Sequence, residues 1–92
     1  MELARAHVLV DGRVQGVFYR AFVRSVAERL CLDGWVKNLF DGRVEAVFEG
    51  RRTSIDEAIR ECRKGPPISH VTDVTVIWED FSGNLQGFEI RH

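Results

Sequence analysis

Gly12-Arg13-Val14-Gln15-Gly16-Val17-Phe18-Tyr19-Arg20 is the stretch that decides the fold, because it joins an apolar run ending at Val10 to a helical pattern. The pattern predicts a strand, then a tight loop that contains glycine, then the first turn of a helix. Such a loop leaves several backbone N–H groups unpaired, at a helix N-terminus that already carries partial positive charge. Arg20 adds a full positive charge at a position where the helix dipole disfavours one.

The residues of this loop, taken alone, leave two interpretations open. A bound phosphate would satisfy the N–H groups and the guanidinium together, since a planar arginine beside backbone donors suits phosphate oxygens. The alternative is an ordinary strand-to-helix turn whose Arg20 side chain points into water. Short glycine motifs give many false positives, so a second motif is needed to decide between the two.

Length and composition limit the classes of protein that fit. The 92 residues fit a single domain over residues 1–92, with one modest core. A net charge of −1 argues against bulk affinity for nucleic acid or membranes. No apolar run is as long as a membrane span, and the first five residues lack the apolar core of a signal peptide. We therefore expect a cytoplasmic protein in which Cys31 and Cys62, which form no C-x-x-C motif, stay reduced.

Two helices are predicted from apolar spacing and end signals. The first should run over residues 19–31, on a buried stripe formed by Tyr19, Phe22, Val23, Val26, Ala27 and Leu30. The second should begin at Ser54-Ile55-Asp56-Glu57, which fits a capping box, and end at Gly65-Pro66-Pro67. Acidic residues are favoured in a first helical turn, so we interpret Asp56 and Glu57 as capping residues rather than as a catalytic pair.

Alternating apolar and polar residues predict strands over residues 4–10, 35–38, 43–49, 71–79 and 88–91. Asp41-Gly42 marks a hairpin turn between the second and third strands. His7 lies on the polar face of the first strand, and we interpret it as a partly covered strand residue because no nucleophile or ligand set accompanies it. Asn38 at a strand end has two interpretations: an amide that bonds the turn, or an amide that holds a water molecule and a substrate oxygen.

The order strand–helix–strand–strand–helix–strand predicts an α+β fold, the ferredoxin-like split βαβ sandwich, with two helices on one face of an antiparallel sheet. Analogy with that fold gives the strand order 4-1-3-2 and leaves the short fifth strand without a position. The two helices are then antiparallel, which separates Cys31 from Cys62 by roughly 15 Å, beyond disulfide reach. The same topology brings the first loop beside the second strand, so Arg20 and Asn38 can face one pocket.

The chain resembles the acylphosphatase family over essentially its whole length. The residues that carry the resemblance are G-R-V-Q-G-V-F-Y-R at 12–20, G-W-V-K-N at 34–38 and D-G-R-V-E at 41–45. Tyr19 departs from the family, which commonly has phenylalanine there.

The resemblance implies hydrolysis of the carboxyl–phosphate bond of acyl phosphates, a small-molecule substrate class. It implies that Asn38 orients the attacking water, and that the phosphoryl group is bound by Arg20 and the backbone of Gln15, Gly16, Val17, Phe18 and Tyr19. It also implies no metal, no cofactor and no phosphoenzyme.

The chemistry of the motifs agrees with this reaction. The leaving group is a carboxylate, which is stable at neutral pH because carboxylic acids ionise near pH ~4, so no general acid is needed to protonate it. The motifs at 12–20 and 34–38 accordingly place no His, Asp or Glu at the proposed pocket. Phosphoryl transfer depends more on positioning and charge stabilisation than on covalent help.

A phosphate-binding module of the same fold without turnover is the alternative interpretation. An RNA-binding sheet is disfavoured because the exposed face of the third strand carries Glu45 and Glu49 and no aromatic residue. We expect a monomer that binds neither nucleic acid nor membrane.

Overall fold

The computed structural model describes residues 2–92 and contains both predicted helices and all five predicted strands. Their bounds are β1 (Leu3–Arg13), α1 (Tyr19–Arg29), β2 (Asp33–Asn38), β3 (Val44–Arg51), α2 (Arg52–Lys64), β4 (His70–Glu79) and β5 (Phe88–Arg91). The sheet order is β4-β1-β3-β2-β5, and the four long strands are antiparallel neighbours. The ferredoxin-like fold and the order 4-1-3-2 are therefore confirmed. Neither helix in this described range is long and apolar enough to cross a membrane.

The fifth strand makes the sheet mixed, so the prediction of a wholly antiparallel sheet is wrong at one edge. β5 pairs in parallel with β2, from Gly34 beside Phe88 to Lys37 beside Arg91. After β4 the chain reverses direction and passes Glu49 on the sheet face away from the helices, where Ser82 donates to that carboxylate. It then runs parallel to β2 and pairs with the backbone groups that β2 would expose as an edge strand.

β1 lies at the centre of the molecule and extends further than predicted. Its inward residues Ala4, Ala6, Val8 and Val10 are buried in one core with the apolar stripes of both helices. The strand continues past a bulge at Asp11 and Gly12. Gly12 has φ +123°, and a Cβ at this position would lie 2.1 Å from the carbonyl oxygen of His70. The bulge thus requires glycine, and it directs the chain into the loop before α1.

The first helix ends earlier than predicted, in a Schellman motif. Cys31 lies outside the helix with φ +58°; its N–H donates to the Glu28 carbonyl at 3.2 Å. The Leu32 N–H donates to the Ala27 carbonyl at 2.8 Å, which completes the motif. Cys31 therefore occupies a position that favours glycine, since a side chain in the left-handed region costs about 1–2 kcal/mol. Both cysteines are free, Cys31 exposed and Cys62 buried, as the sequence predicted.

The capping box predicted for the second helix is wrong. α2 begins at Arg52, with Arg51 as the N-cap and no side-chain cap. The helix follows β3 directly, and the Arg52 N–H donates to the carbonyl of Glu2 at 3.0 Å. The carbonyl of Glu2 thus takes the place of the side-chain cap that a residue next to the helix start would otherwise supply. The predicted stop is confirmed, since the Gly65 N–H donates to Glu61 at 2.9 Å and the helix goes no further.

The sheet face away from the helices carries paired charges. Glu49 is 1% exposed and accepts hydrogen bonds from Arg5 at 2.9 Å and from Ser82. Burial raises the pKa of Glu49, but hydrogen bonds from Ser82, Arg5 and Gly83 outweigh it and hold that pKa below its usual value. His7 is partly covered on the same face and contacts Glu45. This agrees with its interpretation as a partly covered strand residue.

We expect Cys31→Gly to stabilise the protein by about 0.5–1 kcal/mol, because glycine relieves the left-handed strain but loses more entropy on folding. Cys31→Ala is the matched control, since it removes the thiol and keeps the strain, and it should change little. Urea denaturation of both variants measures the difference. Equal stability of the two variants would contradict this assignment of strain to Cys31.

We expect Glu49→Gln to cost about 1.5–3 kcal/mol at neutral pH, the usual value of hydrogen bonds to a charged group. Because the pKa of Glu49 in the folded protein lies below the ordinary value of a glutamate, its charge stabilises the fold above that ordinary value, and the contribution is lost as pH falls through the folded pKa. The gap between wild type and variant should therefore shrink on acidification. A gap that stays constant from neutral to acidic pH in urea titrations would contradict this.

Candidate active site

A cleft of about 660 Å³ opens where the loop after β1 meets α1. Its walls come from that loop, from the first turns of α1, from the end of β2 and from β5. It is lined by Val14, Gly16, Phe18, Tyr19, Arg20, Ala21, Arg24, Asn38, Phe88, Glu89, Ile90 and His92. The structure thus brings Arg20 and Asn38 into one pocket, as the topology predicted.

The loop backbone presents a group of unpaired donors. Gly16 has φ +73° and Phe18 has φ +61°, so the chain enters α1 through two left-handed residues. The first N–H of the helix to find a carbonyl is that of Phe22, which donates to Phe18 at 3.0 Å. Within the range 2–92, the N–H groups of residues 15–21 donate to no protein acceptor. These donors, at the positive end of a helix, suit an anion.

Arg20 is held at the mouth of this loop by the last strand. Its Nη1 donates to the carbonyl of Arg91 at 3.1 Å and lies 3.4 Å from Nδ1 of His92. No carboxylate in the described part of the chain pairs with the Arg20 side chain. The guanidinium is therefore positioned by a neutral carbonyl and keeps its full charge and its remaining N–H groups for a ligand.

Asn38 is the last residue of β2, where it pairs with Val44. Its Oδ1 is buried and has no hydrogen-bond partner. This oxygen therefore makes no bond of the kind expected if the Asn38 amide bonded the turn. A buried acceptor without a donor costs about 1–3 kcal/mol, and Asn38 is one of the residues that line the cleft.

The six predicted phosphate-binding residues divide into two groups. Gly16, Phe18, Tyr19 and Arg20 line the cleft. Val17 is buried in the core, and the Gln15 side chain turns away to the hairpin after Asn38. Only the backbone of these two residues belongs to the donor group.

Tyr19 attaches the start of α1 to the end of α2. Its ring is buried, and its hydroxyl donates to the carbonyl of Cys62 at 2.6 Å. The helical partner of that carbonyl would be the N–H of Pro66, which proline lacks. Burial raises the pKa of Tyr19 well above its usual value, so the hydroxyl keeps its proton and remains a donor. The residue that departs from the family pattern thus satisfies a carbonyl that the following proline leaves open.

β5 and the residue that follows it supply cleft residues that the sequence reasoning missed. Glu89 and His92 line the cleft, and neither belongs to the two motifs from which the pocket was predicted. Glu89 accepts a hydrogen bond from Nε of Arg91 at 2.7 Å. The only signal that could have found them is the parallel pairing of β5 with β2, and no local motif encodes it. Across residues 2–92, no three His, Cys, Asp or Glu side chains are arranged to hold a metal ion.

Comparison with known proteins gives one consistent result. Residues 6–90 match the family model described as acylphosphatase. An acylphosphatase of Anaeromyxobacter sp. (strain Fw109-5) is 50% identical over 91 residues, 99% of this chain and 98% of that protein.

Solved structures agree with the sequence comparison. The crystal structure of acylphosphatase from Bacillus subtilis has a TM-score of 0.93 and 38% identity, with 99% of this chain and 100% of that one covered. An acylphosphatase structure from Coxiella burnetii has a TM-score of 0.87 and 43% identity, with 97% and 93% covered.

We expect Tyr19→Phe to destabilise the protein by about 1–3 kcal/mol, because it leaves the buried carbonyl of Cys62 without a donor. The ring still fills the core, so the turnover of folded protein should stay close to wild type. Thermal denaturation and a steady-state assay on the same preparation measure both quantities. Wild-type stability in the Tyr19→Phe variant would show that the bond to Cys62 contributes nothing.

Proposed function

The chain belongs to the acylphosphatase family, and from that premise we propose that it hydrolyses acyl phosphates through the residues of this cleft. Water attacks the phosphorus atom, the bond between phosphorus and the carboxyl oxygen breaks, and the acyl group leaves as a carboxylate. One proton of the water passes to a phosphoryl oxygen of the substrate. A dianionic acyl phosphate and water thus give a carboxylate and dihydrogen phosphate, and the atoms and charges balance.

The phosphoryl group binds to Arg20 and to the backbone N–H groups of Gln15, Gly16, Val17, Phe18 and Tyr19. Two observations on residues 2–92 support this assignment: the N–H groups at the start of α1 have no acceptor, and the Arg20 guanidinium pairs with no carboxylate. Charge on the phosphoryl oxygens in the transition state is stabilised best by donors that are already in place. The bond from Arg20 to the carbonyl of Arg91 supplies that preorganisation.

Asn38 orients the attacking water. The observation that carries this assignment is that Asn38 lines the same cleft as Arg20 and that its buried Oδ1 accepts no hydrogen bond from residues 2–92. A water molecule that donates to this oxygen is held beside the phosphoryl group with a lone pair free for attack. A module that only bound phosphate would gain nothing from such an acceptor.

We propose that the reaction needs no metal ion, because Arg20 and the loop donors supply the positive charge that a metal would supply elsewhere. We also propose that the protein is a monomer. A cytoplasmic location is supported by the two free thiols. The metal-free proposal is tested by assaying the wild-type protein with and without a chelator, and the activity should be the same in both.

Arg20 and Asn38 should have separable effects on catalysis. Arg20→Lys should lose substrate binding, phosphate inhibition and turnover together, because an ammonium cannot replace a bidentate guanidinium. Asn38→Ala should lower kcat by roughly 10²–10³, about 3–4 kcal/mol, by analogy with the loss of one oxyanion donor. Its KM and its inhibition by phosphate should stay close to wild type, because the interaction forms chiefly in the transition state.

Steady-state kinetics on a simple acyl phosphate, with phosphate as competitive inhibitor, measure all of these constants. Far-UV circular dichroism is the control for folding. If Asn38→Ala turned over at the wild-type rate, Asn38 would have no part in the mechanism. If wild-type protein bound phosphate but hydrolysed no acyl phosphate, the chain would act as a phosphate-binding module.

A further inference from the structure

The side chain of Gln15 links the two parts of the cleft. Its Nε2 donates to the carbonyl of Leu39 and to the carbonyl of Arg43, each at 2.8 Å. Gln15 begins the donor loop, and Leu39 follows Asn38 directly in the chain. One amide group thus connects the phosphate-binding loop to the residue after the water-orienting asparagine.

The geometry fixes the orientation of this amide. The two carbonyls lie on opposite sides of the hairpin neck, where the Leu39 N–H also donates to Arg43 at 2.8 Å. An amide NH₂ has two hydrogens, and Gln15 uses one for each carbonyl. A flipped amide would place Oε1 against two acceptors, so the present orientation is the one that the network allows.

No other hydrogen bond in residues 2–92 joins the loop over residues 14–18 to the hairpin over residues 39–43. The hairpin is otherwise ordered from within, since Asp41 accepts from the Arg43 backbone at 3.1 Å. The distance between Asn38 and the donor loop is thus set by the sheet and by Gln15. Catalysis by orientation is sensitive to displacements of about 1 Å, so we expect loss of this bond to change the rate.

We propose that the Gln15 side chain is a positioning residue that acts through Asn38. It holds the hairpin neck against the donor loop, so that the water on Asn38 lies in line with the phosphoryl group. This inference rests on the proposed function, because it needs Asn38 to act in the reaction. It concerns the side chain alone, while the backbone N–H of Gln15 belongs to the donor loop.

A double-mutant cycle between Gln15 and Asn38 tests the proposal. Gln15→Met keeps the length of the side chain and removes both donors. In the wild-type background it should lower kcat roughly tenfold or more, with phosphate inhibition within about twofold of wild type. In the Asn38→Ala background the same change should alter kcat by less than about twofold, because the group through which Gln15 acts is gone. Gln86→Met, at an exposed glutamine outside the cleft, is the matched control.

Gln15→Glu gives a second readout if Gln15→Met folds poorly. A protonated glutamic acid has the shape of glutamine and can donate one O–H, while the ionised carboxylate donates nothing and repels both carbonyls. The kcat of Gln15→Glu relative to wild type should therefore rise as pH falls from about 7 to about 5. Far-UV circular dichroism that stays constant over this pH range would exclude a gain of folding as the cause of the recovery.

The outcomes separate the inference from the proposed function. If Asn38→Ala is slow and Gln15→Met is equally harmful in both backgrounds, Gln15 does not act through Asn38 and this inference is overturned. Wild-type turnover in Gln15→Met overturns it as well. If Asn38→Ala itself turns over at the wild-type rate, the proposed function fails at its water-orienting step, and the inference fails with it.

Discussion

The backbone between β1 and α1 turns through two left-handed residues, Gly16 and Phe18, and the site depends on that turn. Gly16 adopts this conformation at little cost, and a Cβ there would contact nothing, so conformation rather than space selects glycine. Phe18 adopts it at φ +61° with its ring 82% exposed, a combination that no core contact explains. Within residues 2–92, the turn leaves the first N–H groups of α1 without acceptors, at residues that line the cleft.

Three contacts hold this turn in place, and each comes from a distant part of the chain. Tyr19 anchors the first residue of α1 to the end of α2, the Gln15 amide holds the hairpin neck, and the carbonyl of Arg91 holds Arg20. Each contact uses a backbone carbonyl as the acceptor. Neutral acceptors position the groups around the cleft without cancelling the charge that a phosphoryl group requires.

Charge is distributed differently on the two sides of the sheet. On the face away from the helices, Arg5 and His7 contact glutamates of β3 and β4. In the cleft, Arg20 and Arg24 have no carboxylate partner within the described residues, and Glu89 is paired with Arg91. A net charge near zero therefore conceals a local positive field at the start of α1. That field favours a small anion without giving the whole molecule affinity for polyanions.

The sequence by itself determined the two helices, the four long strands, their order and the meeting of Arg20 with Asn38. These follow from periodicity, glycine turns and crossover topology, which are local signals or general rules. Only the tertiary structure decided the position of β5, the start of α2 at Arg52 and the bonds made by Gln15. The physical reason is that each depends on an acceptor or a strand edge that lies far away in the chain. Arg52 bonds to the carbonyl of Glu2, and β5 pairs with an edge that exists only once the other four strands are assembled.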